Sequence, residues 1–189
     1  MSGVKGVIIL QLKLDKLMEA SECDKALTRI ASGKSDALPI IHKYMERQIF
    51  AVAYSVLHDF SLCDDVVQET YIKIIEKASS YKPGTSAKAW ILTVARNISL
   101  DIAKHRKFES PDENITDDAT ERFDESSLVL SIQVRAALDA LDDDDRQVVT
   151  LKVYSGLKHS EIAEILGIST EAAKKKYQRA IAQMKQLLE

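Results

Sequence analysis

The chain has 189 residues, enough for one large domain or two small ones. Its six glycines and three prolines are fewer than average usage would give, which argues against a β-sandwich or barrel and for long helices. The net charge of −3 does not favour a nucleic-acid binder, although the distribution of charge along the chain matters more than the total.

The apolar residues and the cysteines exclude several further classes of protein. No apolar run approaches the roughly 18 residues of a membrane-spanning helix. The short apolar run Val7–Leu10 is not followed by a cleavage site, so we expect neither membrane insertion nor secretion. Cys23 and Cys63 form no disulfide framework, and we expect both thiols to be reduced in a cytoplasmic protein.

The acidic charge is concentrated in one short segment. Residues 108–126 contain eight acidic residues and one basic residue, with few apolar ones, so this segment cannot bury enough surface to fold alone. We therefore predict an all-α protein of two small helical domains, residues 34–107 and 127–189. Residues 1–33 are predicted to be an N-terminal extension and the start of the first helical region. The acidic segment joins the two domains as a flexible linker. It is either a spacer or an acidic strand that mimics nucleic acid in a basic channel of a partner.

The first domain is predicted to contain three helices. Ser35 or Asp36 caps the first, which runs to about His58 because apolar residues recur every three or four positions. Ser61 and Asp64 resemble a capping box that opens the second, over Leu62–Ala78.

The second predicted helix carries an acidic stripe opposite its apolar arc. The stripe contains Asp65, Gln68, Glu69, Ile72 and Glu76. One interpretation is a solvated face with a stray isoleucine, and the spacing alone favours it. The other is a docking face, where carboxylates attract a basic partner and Ile72 becomes buried.

The third helix follows the loop Ser79–Ala87, begins near Ser86 and ends near Lys107. Trp90 lies on the apolar arc and is predicted to be a core residue, whereas Tyr81 in the loop is the better candidate to stack on a base. The cations at the end of the helix favour its dipole, and they are equally suited to phosphate.

The second domain has the pattern of a helix-turn-helix, after a first helix over residues 132–141 and a second that Asp142–Asp145 start and Gly156 stops. In residues 159–178, Ala163 is the small contact residue, Gly167 supplies the turn, and Ser169 caps the recognition helix. On its polar face, Lys175, Gln178 and Arg179 are predicted to contact DNA. Glu171 either accepts from a cytosine amino group or simply favours the helix start.

Three stretches of the sequence resemble the extracytoplasmic-function (ECF) sigma factors of bacterial RNA polymerase. DDVVQETYIKI at Asp64–Ile74 is similar to the helix that binds core polymerase, and YKPGTSAKAWILTVARNISLDIAKHRK at Tyr81–Lys107 is similar to the promoter-melting segment. LDDDDRQVVTLKVYSGLKHSEIAEILGIS at Leu141–Ser169 is similar to the C-terminal DNA-binding domain. Ala87 and the pair Ala172-Ala173 depart from the usual pattern, which bears on promoter preference.

The resemblance implies a role for each surface. The residues implied to bind the clamp coiled coil of the largest polymerase subunit are Asp64, Asp65, Gln68, Glu69, Ile72 and Glu76. Those implied to bind the −10 element are Tyr81, Lys82, Lys88, Arg96, Asn97, Lys104, Arg106 and Lys107. Those implied to bind the −35 element are Ser169, Thr170, Glu171, Lys174, Lys175, Gln178 and Arg179. Further implied partners are the flap of the second-largest subunit and an anti-sigma factor.

The function expected from these residues is promoter-specific transcription initiation together with core RNA polymerase. A stand-alone helix-turn-helix regulator is the alternative, but it leaves the acidic stripe without a purpose. A DNA-processing enzyme is disfavoured because the four histidines have no paired ligand spacing and no nucleophile or phosphate-loop motif is present. We therefore expect no catalysis, no metal and no cofactor.

Overall fold

The computed structural model describes residues 18–109 and 132–188, and every regular element in these two ranges is helical. The predicted linker, residues 108–126, lies almost entirely outside the described residues. The all-α fold class predicted from the sequence is confirmed.

Within residues 18–109, the first unit contains four helices. Helix α1 occupies residues 18–31, and the next three are α2 (Leu38–Leu57), α3 (Phe60–Lys77) and α4 (Ala87–Glu109). Helix α2 packs against both α3 and α4, which also pack against each other. Its apolar stripe of Ile41, Met45, Ile49 and Val52 is fully buried, so this helix is the centre of the unit.

The starts of α2 and α3 differ from the sequence prediction. Neither Ser35 nor Asp36 caps α2, because both lie in a short 3₁₀ turn, Ser35–Ala37, that leads directly into it. Helix α3 begins at Phe60 and is capped by Asp59, whose Oδ1 accepts from the backbone N–H of Leu62 at 3.2 Å. The predicted capping box of Ser61 and Asp64 is therefore wrong. Asp59, two residues before Ser61, caps the helix instead.

The second unit also consists of four helices. These are α5 (Ile132–Asp139), α6 (Asp143–Val149), α7 (His159–Leu166) and α8 (Thr170–Leu188), with a π-helical turn, Thr150–Tyr154, after α6. The predicted start of α6 is confirmed, since Oδ1 of Asp142 accepts from the N–H of Asp145 at 2.9 Å.

The turn between α7 and α8 has the geometry that the sequence predicted. Gly167 adopts a φ of 67°, in the left-handed region that favours glycine. The hydroxyl of Ser169 accepts from the N–H of Ala172 at 3.1 Å and so caps α8. Ala163 on α7 and Ala173 on α8 are both buried, which lets the two helices approach closely.

The two units pack against each other. Helix α6 and the π-helical turn lie on α2, and α7 lies on α4. Val148, Leu151, Leu157, Ile162 and Ile165 of the second unit belong to the same buried apolar cluster as the core of the first. The sequence suggested two bodies joined only by a tether, but in this arrangement they share a core.

Candidate functional site

The predicted docking face of α3 is exposed along its length. Asp64, Asp65, Gln68 and Glu76 are exposed, Glu69 is half-buried, and Ile72 keeps 50% of its surface accessible. The five residues of the predicted acidic stripe therefore face solvent, while their binding to a partner stays a prediction. An isoleucine that remains this open between carboxylates offers an apolar contact surrounded by negative charge.

Lys73 moderates the charge of this face. Its Nζ lies 3.4 Å from Oε1 of Glu69 and 2.8 Å from Oε2 of Glu76. The hydrogen bond to Lys73 and its positive charge lower the pKa of Glu76. Lys73 thus neutralises part of the charge at the C-terminal end of the stripe.

Tyr81 is not the exposed loop residue that the sequence indicated. Its ring is 4% exposed and meets Trp90 edge-on, with the ring centroids 6.1 Å apart. Its hydroxyl hydrogen-bonds to the carboxylate of Asp24 on α1 and lies 3.1 Å from the carbonyl oxygen of Thr85. The expectation that Tyr81 stacks on a base is corrected here, because its ring face packs inside the first unit.

Lys88 is enclosed by groups from both units. Its Nζ lies 2.9 Å from Oε1 of Glu19 on α1 and donates to the carbonyl oxygen of Ser155 in the second unit at 3.3 Å. The same Glu19 oxygen accepts from the side-chain amide of Gln48 at 2.6 Å. Lys88 is thus held by the first unit's own carboxylate and by the second unit's backbone.

Arg96 is likewise covered by the second unit. Its Nε donates to Oε1 of Gln147 on α6 at 2.7 Å, and burial lowers the pKa of its guanidinium. Gln147 itself is 4% exposed. Two cations assigned to the −10 element by the resemblance, Lys88 and Arg96, therefore lie at the boundary between the units.

The remaining residues of this predicted set are spread over the loop and the end of α4. Lys82, Asn97 and Lys104 are exposed. Arg106 is half-buried and donates to Oδ2 of Asp59 at 3.0 Å, which braces the start of α3 against the end of α4. The side chain of Lys107 lies outside the described residues.

The exposed side of α8 agrees with the sequence prediction for most of the −35 set. Glu171, Lys174, Lys175 and Gln178 are exposed, and Thr170 is half-buried at the start of the helix. The structure thus leaves the side chains at the start of α8 open to solvent, and their contact with DNA stays a prediction.

Arg179 differs from its neighbours because it is committed to an ion pair inside the second unit. Its Nε lies 2.7 Å from Oδ2 of Asp145, and its Nη2 lies 2.7 Å from Oδ1 of the same carboxylate. The side chain of Asp145 is only 2% exposed. Lys176 adds Nζ contacts of 2.9 Å to Asp144 and 3.7 Å to Asp145. Arg179 was predicted as a DNA contact, and here it ties α8 to the start of α6.

Sequence reasoning missed Arg146 as a structural centre. This guanidinium is 5% exposed and donates to the backbone carbonyls of Leu138, Asp139 and Leu141, closing the turn between α5 and α6. It also contacts Nε2 of His58 in the first unit. The spacing of apolar residues gives no sign of this role. Arg146 directly follows four aspartates, so the sequence alone groups it with the start of a helix.

Residues 18–109 and 132–188 contain neither a candidate metal site nor a candidate membrane span. Within them no three His, Cys, Asp or Glu side chains converge as a metal site. Within the same ranges no helix has the combination of length and apolar character that crossing a bilayer requires.

Comparison with known proteins gives two family matches. Residues 41–109 match the family model of Sigma-70 region 2, and residues 131–184 match that of Sigma-70, region 4. The chain is 26% identical over 165 residues to RNA polymerase sigma factor CarQ of Myxococcus xanthus, covering 86% of this chain and 95% of CarQ. It is 29% identical over 140 residues to ECF RNA polymerase sigma factor EcfG of Rhodopseudomonas palustris (strain TIE-1), covering 73% and 77% of the two chains.

Two solved structures have a similar fold. The co-crystal structure of the sigma factor RpoE with the anti-sigma factor NepR from Bartonella quintana matches with a TM-score of 0.69 and 27% identity, over 78% of this chain and 93% of that one. The structure of CnrH with the cytosolic domain of CnrY matches with a TM-score of 0.65 over 88% and 97% of the two chains. At 21% identity, this second likeness concerns the fold alone.

Proposed function

The chain belongs to the sigma-70 family as an ECF sigma factor of RNA polymerase, and on that premise we propose that it directs core polymerase to promoters by binding their −10 and −35 elements. The proposal assigns polymerase docking to α3, −10 binding and melting to α4 with its preceding loop, and −35 binding to α8. Sigma factors initiate transcription without catalysing it, so the chemistry remains that of the polymerase.

The observation that carries this proposal is the face of α3 around Ile72. Asp65, Gln68 and Glu69 surround an isoleucine that is half exposed, and the second unit packs on α2 and α4. Burying the exposed part of Ile72 against an apolar partner contributes about 1 kcal/mol, and the carboxylates attract a basic partner. The clamp coiled coil of the largest polymerase subunit is the proposed partner.

The −35 element is assigned to the first turns of α8. Lys174, Lys175 and Gln178 are exposed there, and the remaining face of the helix is packed against α6 and α7. In this division Gln178 reads base edges and the lysines hold phosphates. Arg179 is assigned first to the structure of the domain, because Asp145 already engages its guanidinium.

The −10 element requires the two units to separate. Centres of the two promoter elements about 25 base pairs apart lie about 85 Å apart along B-DNA. A compact body of this size is only about 40 Å across, so the packed units cannot reach both elements together. Residues 110–131 provide up to about 75 Å of fully extended chain, which allows the required separation.

Separation would also expose cations for DNA. Lys88 and Arg96 would lose their contacts with Ser155 and Gln147, and they would add to the exposed Lys82, Asn97 and Lys104 of the first unit. Flipping a base from the duplex costs a few kcal/mol, which pocket and stacking contacts of about 1–3 kcal/mol per base nearly balance. Polymerase contacts are proposed to supply the difference.

Further partners follow from the family and its relatives. The second unit is proposed to contact the flap of the second-largest polymerase subunit. RpoE of Bartonella quintana is bound by the anti-sigma factor NepR, and we propose that an anti-sigma factor also regulates this chain. The proposed location is the cytoplasm, where polymerase and promoters meet.

Run-off transcription with purified core polymerase tests the function directly. The protein should give promoter-dependent transcripts, and Ile72→Ala should weaken polymerase binding by roughly fivefold. Ile75→Ala is the matched control, because Ile75 is also about half exposed on α3 but lies outside the predicted contact set. Tight binding to promoter duplex without any association with polymerase would instead indicate a stand-alone regulator.

A further inference from the structure

A buried arginine of the second unit meets a histidine of the first. Four of the five donor contacts of Arg146 stay within its own unit, on the carbonyls of Leu138, Asp139 and Leu141 and on the carboxylate of Asp143. The other reaches Nε2 of His58, which ends α2 with a φ of 56°. The side chains of Arg146 and His58 therefore connect α6 to the end of α2.

The chemistry of the two side chains fixes how they interact. A guanidinium only donates hydrogen bonds, so Nε2 of His58 must accept and must carry no proton. The ring proton then sits on Nδ1, which lies 3.6 Å from Oδ1 of Asp139 on α5. The contact with the second unit therefore depends on the neutral, Nδ1-protonated imidazole.

We propose that His58, Arg146 and Asp139 form an acid-sensitive clasp between the two units, in which a proton on Nε2 of His58 breaks the contact with Arg146 and favours their separation. A protonated Nε2 can no longer accept from the guanidinium, and it brings two positive charges together in a half-buried site. Asp139 limits the destabilisation that protonation causes, because its carboxylate attracts the imidazolium.

The charged surroundings of His58 agree with this direction. Burial is the main cause that lowers its pKa, and the positive charge of Arg146 is the second, whereas Asp139 and Asp143 act in the opposite sense without reversing the shift. From its own helix the ring of Tyr54 packs on it, and the neighbouring Asp59 is paired with Arg106 of α4.

The sign of the pH effect follows from linkage. The packed arrangement holds His58 at a lowered pKa, so it binds fewer protons than the separated arrangement, where the imidazole is free to return toward about 6.5. The clasp therefore stabilises the packed arrangement fully above about pH 6.5, and this stabilisation is lost as the pH falls below that value. Between about pH 7.5 and 5.5 the ratio of separated to packed molecules rises by at most about tenfold.

Separation measured without polymerase or DNA tests the clasp independently of the proposed function. Fluorophores at Lys43→Cys and Gln186→Cys, one in each unit, report the distance between the units by energy transfer. Both native thiols are fully buried, so the two introduced thiols are the ones labelled in the folded protein. Energy transfer should fall on acidification from about pH 7.5 to 5.5, and the radius of gyration from X-ray scattering should rise.

Three variants decide the outcome. His58→Asn suits a left-handed backbone and cannot titrate, so it should abolish most of the pH response. Asp139→Asn removes the carboxylate that favours the imidazolium in the packed arrangement, so the loss of energy transfer between about pH 7.5 and 5.5 should become larger than in the parent protein. His42→Gln alters an exposed histidine on α2 paired with Glu46 and should respond like the parent protein.

The proposal is overturned if the spacing of the parent protein does not depend on pH over this range. It is also overturned if His58→Asn keeps the full response, or if Asp139→Asn does not enlarge the response. Circular dichroism at both pH values checks that each variant remains folded, and Asp139→Asn, at an exposed position, keeps the test decisive if His58→Asn does not fold.

Discussion

Arg96 and Gln147 join the two helical units through a hydrogen bond of 2.7 Å between Nε and Oε1. Arg96 lies on α4, the helix that resembles the promoter-melting segment, and Gln147 lies on α6 of the helix-turn-helix domain. The pair is 51 positions apart in the chain. Arg96, which is proposed to bind the −10 strand, is therefore hydrogen-bonded to the domain that is proposed to bind the −35 element.

Replacing Gln147 with Ala should favour separation of the units. The substitution leaves the half-buried guanidinium of Arg96 without its acceptor, which weakens the packed arrangement by about 1–3 kcal/mol. Energy transfer between labels on the two units should fall at neutral pH. Gln183→Ala is the control, because Gln183 donates only to the carbonyl of Ala140 within its own unit. Equal effects of the two substitutions would show that Arg96 and Gln147 do not hold the units together.

Replacing Lys175 with Ala should weaken binding to −35 duplex DNA. Losing one phosphate contact lowers affinity uniformly across sequences and reduces the slope of log affinity against log salt by about one. Fluorescence anisotropy over a salt series measures both quantities. Lys185→Ala changes an exposed lysine in the last turn of the same helix and should leave the slope as it is. A similar change in slope for both lysines would place the DNA elsewhere on α8.

Replacing Arg179 with Ala should destabilise the second unit rather than affect DNA binding alone. Asp145 is almost completely buried and would keep only Lys176, at 3.7 Å, as a charged partner. Because Arg179 is itself largely exposed, we expect a modest loss in the free energy of unfolding, seen as a lower melting temperature. Thermal denaturation measures this loss. Gln178→Ala, at the neighbouring exposed position, should unfold at the parent temperature, and a matching result for Arg179→Ala would refute the structural role.

The two native thiols should be inert while the protein is folded. Burial raises the pKa of Cys23 to about 12 and raises the pKa of Cys63 further still, so each thiolate is scarce near pH 8. Relative to a thiol with a pKa of 9, the thiolate population of Cys23 falls roughly a thousandfold. A colorimetric thiol reagent should therefore react slowly with native protein and rapidly in guanidinium. Prompt reaction of native protein would mean that these helices open locally.

Local sequence was sufficient for some features and insufficient for closely related ones. Gly167 and Ser169 could be assigned because a left-handed turn and a helix cap depend on the chemistry of a few consecutive residues. The cap of α3 was misassigned to Ser61 because Asp59, Ser61 and Asp64 all suit that role. Asp59 is the cap because α2 ends at Leu57 and the left-handed His58 turns the chain directly before it.

The sequence by itself determined helices α2 to α8, the helix-turn-helix, the acidic stripe of α3 and most of the exposed face of α8, because each of these follows from the spacing of apolar residues and from local capping. Only the tertiary structure decided that Tyr81 is buried, that Arg179 is tied to Asp145, and that Arg96 meets Gln147. These contacts join residues far apart in the chain, and a polar side chain gives no local sign of which distant partner it will meet. Where two domains share a buried cluster, the partner is fixed by packing, which periodicity along one helix does not encode.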